Sequence, residues 1–240
     1  MTPTPQSQGL NNIAGNWQFS PSSTAGGSTS LTMAGSITQT GKVIGGAMHF
    51  DGSSCFDSVT TIALTGTLTG GKLSLSSTPV NGQVTTLTGS VTDSTFSGSY
   101  AVTGGCADGE TGTLTGMKMW NITGSLNSTF TNTGNQTFSG VAQITEGTAG
   151  PEGNFGISGT ATFTNRCFAS GTITSGVFPS GSYLLGTSLV LAIHTNNGTV
   201  TFHGTVDESF GQIMGDYAIS GGTCDETGTA VLGDSSPWDY

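Results

Sequence analysis

The stretch YAVTGGCADGETGT at residues 100–113 returns near the end of the chain as YAISGGTCDETGT at 217–229. Other matches fall in the same order. NIAGNW begins at Asn12 and NITGSL at Asn121, 109 positions on. Cys55-Phe56 returns as Cys167-Phe168, 112 positions on, and Tyr100 as Tyr217, 117 on. Offsets that drift slowly in one direction mark one ancestral unit with small loop insertions. The 240 residues are therefore two copies of one unit. The expected division is a flexible linker at 1–11, a first repeat at 12–119, a second at 120–233 and a tail at 234–240.

Within a copy the hydrophobic period is two, the period of a half-buried strand. Leu31, Met33, Gly35 and Ile37 alternate with polar residues, and so do Ile44, Gly46, Met48 and Phe50. A two-residue loop at Thr40-Gly41 would set Ile37 against Ile44, Met33 against Met48 and Leu31 against Phe50. In the second copy Phe138, Ala142 and Ile144 face Ile157, Ala161 and Phe163 across a longer loop. A turn at Asn197-Gly198 would pair Ile193 with Phe202 and Leu189 with Val206. In the first copy Leu73 and Leu75 meet Gly89 and Leu87 across a three-residue loop, Val80-Asn81-Gly82, with the glycine left-handed. Leu73 then corresponds to Leu189 and Gly89 to Gly204, so the offset falls by one across this loop.

Continued along the first copy, the pattern gives strands near 13–20, 28–39, 42–50, 57–69, 72–79, 83–93, 96–103 and 110–119, with no helical period. Eight consecutive antiparallel strands form a meander, and an even number lets the first pair with the last and remove both edges. The expected fold is all-β: two tandem eight-stranded antiparallel up-and-down barrels, with β-sandwiches as the alternative. The outward positions are Thr and Ser, the reverse of an outer-membrane barrel, so these read as barrels in water.

Each copy carries two of the four cysteines, one between strands three and four and one between strands seven and eight. A meander brings those loops to the same end. Of the three connectivities, only Cys55–Cys106 with Cys167–Cys224 respects the repeat. Zinc is the competing reading, but Cys-x-x-Cys spacing and a paired histidine motif are missing. Disulfides imply an oxidising compartment, extracellular or periplasmic. The start, MTPTPQSQGL, reads as a linker left after removal of a signal, with Met1 an added start. A lipid anchor ahead of it would suit the same compartment.

Only Lys42, Lys72, Lys118 and Arg166 are permanent cations, and the formal net charge is -10. Nucleic acid needs a positive surface, and an anionic membrane repels such a chain. No apolar run is long enough for a transmembrane helix.

AGNW, with Gly15 and Trp17, opens the first barrel strand behind a polar tail. This resembles the Gly-x-Trp opening of lipocalins and the corresponding strand of avidins. The resemblance implies an eight-stranded barrel that holds a small ligand in its lumen. Lipocalins cover the Trp with an Arg from near the barrel's end, where this chain has Lys118; the second copy has Leu126 in place of the Trp. The avidin set of aromatic ligand contacts is not visible among Trp17, Trp120 and Trp238. The Gly/Thr-rich repeat also resembles uncharacterised secreted bacterial proteins, often lipoproteins, which implies an envelope location.

No catalytic constellation stands out. His49, His194 and His203 all point outward in this scheme, with His194 and His203 diagonal neighbours on one hairpin. Two ligands without a carboxylate make a poor metal site, and no serine sits in a nucleophile elbow with an inward base. The chain reads as a non-enzyme without a cofactor. Asp51, Asp57, Asp108 and Glu110 flank the first bridge and form a candidate calcium site through oxygen ligands. Their competing role is as solvated loop charges. Asn121, Asn127, Asn135 and Asn197 begin glycosylation sequons.

The first functional reading is a secreted or envelope-anchored protein binding a small molecule or glycan. Trp17, Phe19, Met33, Met48, Leu75, Leu87 and Tyr100 would line the first lumen, the better candidate because of Trp17. The alternative is a structural or adhesive surface protein with filled barrels. An ice-binding protein is a further reading, weakened because barrel twist spoils a flat Thr lattice. A hydrolase of unknown type is more distant.

Overall fold

A computed structural model describes residues 11–24, 32–51, 55–56, 61–150, 152–165, 167–176 and 180–233, with only the backbone of Asp51. Leu31, Asp57, Arg166, Trp238, the tail and nearly all of the linker lie outside the described residues. The chain divides into two compact units, Met1–Met119 and Trp120–Tyr240.

The first unit has eight strands: β1 (Gly15–Ser23), β2 (Thr32–Thr40), β3 (Val43–Asp51), β4 (Thr61–Thr69), β5 (Lys72–Ser77), β6 (Val84–Val91), β7 (Thr95–Thr103) and β8 (Thr111–Lys118). Each pairs with the next, and β1 pairs with β8, so the sheet is closed. The period-two pattern sets its faces. On β4, Ile62, Leu64 and Leu68 are buried while the threonines between and beyond them are exposed. Closure removes the edges that would otherwise template aggregation.

The second unit has β9 (Gly124–Asn132), β10 (Thr137–Ala149), β11 (Phe155–Phe163), β12 (Ser170–Ile173), β13 (Tyr183–Leu185), β14 (Ser188–Thr195), β15 (Gly198–Asp207), β16 (Gln212–Ser220) and β17 (Glu226–Gly233). The short β12 and β13 both pair with β11 and with β14, so together they fill one strand position. Pairing of β9 with β17 and of β10 with β11 closes this barrel at eight positions as well. Where the divided strand leaves the ladder, the buried Ser182 hydroxyl takes over: it donates to Ala192 O (3.3 Å) and accepts from Ala192 N (2.8 Å).

The faces match the sequence pattern, but two hairpin registers differ from the expected ones and a third hairpin has a shorter loop. Met33 pairs with Phe50 and Ile37 with Gly46, two residues from the expected partners. The turn is Gly41-Lys42, with Gly41 at φ +61°. The expected turn would have put the β-branched Thr40 in that first central position, where positive φ is costly. In the second unit, Leu191 pairs with Phe202 and Leu189 with Gly204, around an Asn196-Asn197 turn. Gly198 is used for close approach instead: a Cβ there would lie 2.5 Å from Ser220 O. The repeat correspondence, which sets Leu189 opposite Gly204, is the one the structure obeys. In the first unit Leu73–Gly89 and Leu75–Leu87 pair as expected. The loop is one residue shorter, with Asn81 (φ +50°) and Gly82 (φ +77°) both left-handed between bridged Val80 and Gln83. That is the type I′ arrangement suited to Asn-Gly.

The β14–β15 register also separates two histidines expected to be diagonal neighbours. His203 lies opposite Val190, while His194 lies opposite Thr199 and shares a 3.2 Å hydrogen bond with it. The two histidines are four residues apart along the hairpin, about 13 Å at strand rise, so they are not diagonal neighbours and cannot share a metal.

Candidate functional site

Both disulfides form, Cys55–Cys106 and Cys167–Cys224, with Cα–Cα separations of 5.7 and 6.2 Å. They excluded zinc as the role of these cysteines. Each joins the loop after the third strand to the loop before the last, at one end of its barrel.

The repeated stretch builds this end twice. Tyr100 on β7 lies opposite Gly112 on β8, and a Cβ on Gly112 would lie 2.5 Å from the ring. Only glycine lets the ring lie across the neighbouring strand. The phenol, carried to the rim, donates to Glu110 Oε1 at 2.9 Å. In the second unit Tyr217 lies over Gly228 and donates to Glu226 Oε1 at 3.0 Å. The spacing Glu-Thr-Gly thus supplies, two residues apart, an anchor for the hydroxyl and a floor for the ring.

Burial, then the Glu110 hydrogen bond and its negative charge, push the Tyr100 phenol up to about 12. Tyr217 is raised by the same causes acting through Glu226. An unfolded chain loses these protons near pH 10. The folded state holds them longer, so its advantage is complete below pH 10 and disappears as pH climbs from there through the folded value. In an alkaline titration, Tyr100 and Tyr217 should ionise only as the fold is lost. Tyrosinate absorbance followed beside circular dichroism checks this; four early-ionising tyrosines on an intact fold would refute it.

A side-chain amide locks each pair of loops. Buried Gln83 donates to Cys55 O at 2.7 Å and accepts from Ala107 N at 3.1 Å. In the second unit Asn197 donates to Cys167 O (3.4 Å) and Thr223 Oγ1 (2.9 Å), and accepts from Thr223 N at 3.1 Å. Asn197 is therefore a structural clamp, whereas Asn121, Asn127 and Asn135 are exposed.

The candidate calcium ligands have other work where they are described. Asp108 accepts from Gly104 N at 2.7 Å, and Glu110 holds Tyr100. Among the described residues no group of three or more His, Cys, Asp or Glu could hold a metal. His49 shares a 2.9 Å hydrogen bond with Thr61.

The seven candidate lumen residues of the first barrel are all at most 2% exposed. All seven belong to one packed hydrophobic core. Trp17 lies at the end remote from the disulfide, opposite Lys118. Its ring stacks on Phe19 at 5.7 Å, Phe19 meets Phe96 edge-on at 5.6 Å, and the indole N–H donates to Ile13 O at 2.8 Å.

In the second barrel the rings gather at the opposite end, beside the bridge. Phe130 and Phe138 stack at 4.6 Å with planes 3° apart, and Tyr217 meets both edge-on. Phe163 links this group to Phe168. Counting from Trp17 and Leu126, Phe130 stands where the first unit has Pro21, and Ser128 where it has Phe19. Phe138 then lines a cleft of about 410 Å³ walled by Asn132, Gln136, Asn165, Asp225 and Glu226, with the Cys167–Cys224 bridge at its side.

No family model matches the chain, and no curated protein does. Among solved structures it is similar to a protein of unknown function of the DUF3598 family from Nostoc punctiforme PCC 73102. The two share 10% identity over 91% of this chain and 94% of that one, with a TM-score of 0.25.

Proposed function

We propose that this is a non-enzymatic protein of the extracellular space or cell envelope that acts through its outer surface, its barrels serving as filled, disulfide-locked supports. The observation that carries the reading is the packing of the first lumen. Trp17, Phe19, Met33, Met48 and Leu87 are buried against one another, and the one polar atom of Trp17 is satisfied within the chain. A lumen ligand of the kind implied by the lipocalin and avidin resemblance would need a cavity with a few convergent polar groups. Lys118, whose stem passes against Gly15 beside Trp17, supports kinship in the opening strand; it offers nothing to a ligand inside. The two bridges support the oxidising compartment, and the outward Thr and Ser support a surface in water.

Methionine methyl NMR tests this directly. Met33 and Met48 report on the first lumen, and Met214, 48% exposed, on the outside of the second barrel. Titration with saccharides and with small apolar compounds should leave Met33 and Met48 unmoved. Saturable shifts of those two methyls would overturn the filled-barrel reading in favour of a lumen binder.

A further inference from the structure

We propose that the cleft at the disulfide end of the second barrel is a saccharide site, taking one or two neutral or amino-sugar rings against Phe138. The inference rests on the reading that the protein works through its outer surface, and it names the place and the ligand class.

Three observations converge on it. The first is size: about 410 Å³ falls within the usual range of small-ligand clefts, roughly 300–1,000 Å³. The second is the aromatic ring. Phe138 is only half-buried, while the other inward aromatics among the described residues of this barrel are buried. Phe130 covers one face and Tyr217 meets the ring edge-on, so the ring is held rigidly while part of it lines the cleft. A fixed apolar ring with polar groups around it suits the C–H face and hydroxyl rim of a sugar.

The third is the polar wall, which sorts into two kinds. Asn132 and Glu226 are already committed. Asn132 Oδ1 accepts from Gly134 N and Gln136 N, and its Nδ2 donates to Gln136 Oε1 and Glu226 Oε2. Glu226 Oε1 holds Tyr217. These two make a stiff frame. Gln136 Nε2, Asn165 Nδ2 and the Asp225 carboxylate make no hydrogen bond among the described residues and stand at the cleft. Two amide donors and one carboxylate acceptor match vicinal hydroxyls, each of which both donates and accepts. Asp225 and Glu226 in the wall disfavour uronic or sialic acids and tolerate an ammonium group; Arg166, between Asn165 and Cys167 in the chain, lies outside the described residues. A purely apolar ligand would strand these amides and carboxylates without partners.

The test uses the full chain, titrated with glucose, N-acetylglucosamine, glucosamine, their β-linked disaccharides and glucuronic acid. Calorimetry and amide NMR are the readouts. At least one neutral or amino sugar should bind saturably, with shifts at residues 132–138 and 164–167, and glucuronic acid should not. Phe138→Leu should weaken binding about tenfold or more, the loss of one well-placed stacking contact. Gln136→Ala, which gives up only the long exposed contact from Asn132, and Asn165→Asp, which keeps the oxygen that accepts from Cys167 N but loses the Nδ2 donor, should weaken binding with the melting temperature changed by no more than a few degrees. Asp225→Asn should weaken glucosamine more than glucose. If Phe138→Leu fails to fold, the other three variants decide. No binding by any of these sugars overturns the cleft proposal and leaves the filled-barrel reading to its own methyl test. Binding that none of the four variants weakens overturns it too. Binding that moves Met33 and Met48 would instead sink the filled-barrel reading.

Discussion

Replacing Trp17 with alanine should remove roughly 3–5 kcal/mol from the stability of the first unit, the range for emptying a large aromatic site in a packed core. The indole is fully buried between Phe19 and the strands around it, so its loss leaves a void that the closed sheet cannot collapse to fill. The cost has a second part: Ile13 O loses the indole donor and becomes a carbonyl without its partner. For a domain of this size, a loss of 1 kcal/mol lowers the midpoint by about 4–8 °C. Calorimetry of the full chain should therefore show one transition falling by some tens of degrees, or vanishing, while the transition of the second unit stays. Trp17→Phe should fall between, since it keeps an aromatic plate against Phe19 but drops the hydrogen bond. A Trp17→Ala protein that melts within a few degrees of the parent would show that Trp17 packs loosely and would return it to the list of ligand contacts.

How far the fold could be read from the chain depends on what a period of two can determine. Alternation fixes which residues face inward, and among the described residues every one named as inward from sequence lies on the inward face. A shift of pairing by two residues leaves those sets unchanged, so the pattern has no power to choose between Met33 opposite Met48 and Met33 opposite Phe50. The choice is made by turn chemistry: the left-handed Gly41, and the ties from Asn197 to Thr223 and Cys167. The disulfides were legible because a meander places the loops after strands three and seven at one end whatever the register. The amide clamps were not. Gln83 and Asn197 differ in type, and by the repeat offset they are one position out of step, so nothing in the repeat marks them as equivalent.

The aromatic end of the second barrel is written in the sequence at Phe130 and Ser128, away from the position of Trp17. Counting along the first strands from Trp17 and Leu126 exchanges Phe19 for Ser128 and Pro21 for Phe130, which moves the first strand's phenylalanine from one end of the barrel to the other, where the first unit's described rings are Phe50 on Phe56 beside its bridge, and Tyr100. The signal lay in that exchange and not in the presence of a tryptophan. A buried tryptophan fills space. A phenylalanine that remains half-buried among amides and carboxylates is the rarer arrangement, and the informative observation is the unusual neighbourhood of a ring more than its size.

Removing either bridge as a paired Cys→Ser variant should cost its own unit about 4 kcal/mol on the chain-entropy model, for loops closed over 51 and 57 residues. The near-equal loops predict near-equal losses. The strand ladders do not depend on the bridges: β1 meets β8, and β9 meets β17, through backbone pairing well clear of the cysteines. Both reduced units should therefore stay barrels and melt cooperatively at lower temperature. The clamps should separate the two cases. Gln83 is almost fully buried and bonds backbone groups on both loops, so the first unit keeps its loops together without the bridge. Asn197 holds Cys167 O by a longer contact, so the second unit's loops should loosen more, with faster amide exchange at Cys167 and Thr223. Equal exchange in the two units would show that the clamps add nothing to the bridges. The same cysteines test the compartment. Protein taken from its own cells into acid and alkylated without reduction should show no free thiol, since an oxidising environment keeps both bridges closed. Four alkylated cysteines in that sample would remove the exported location, and the surface function proposed with it.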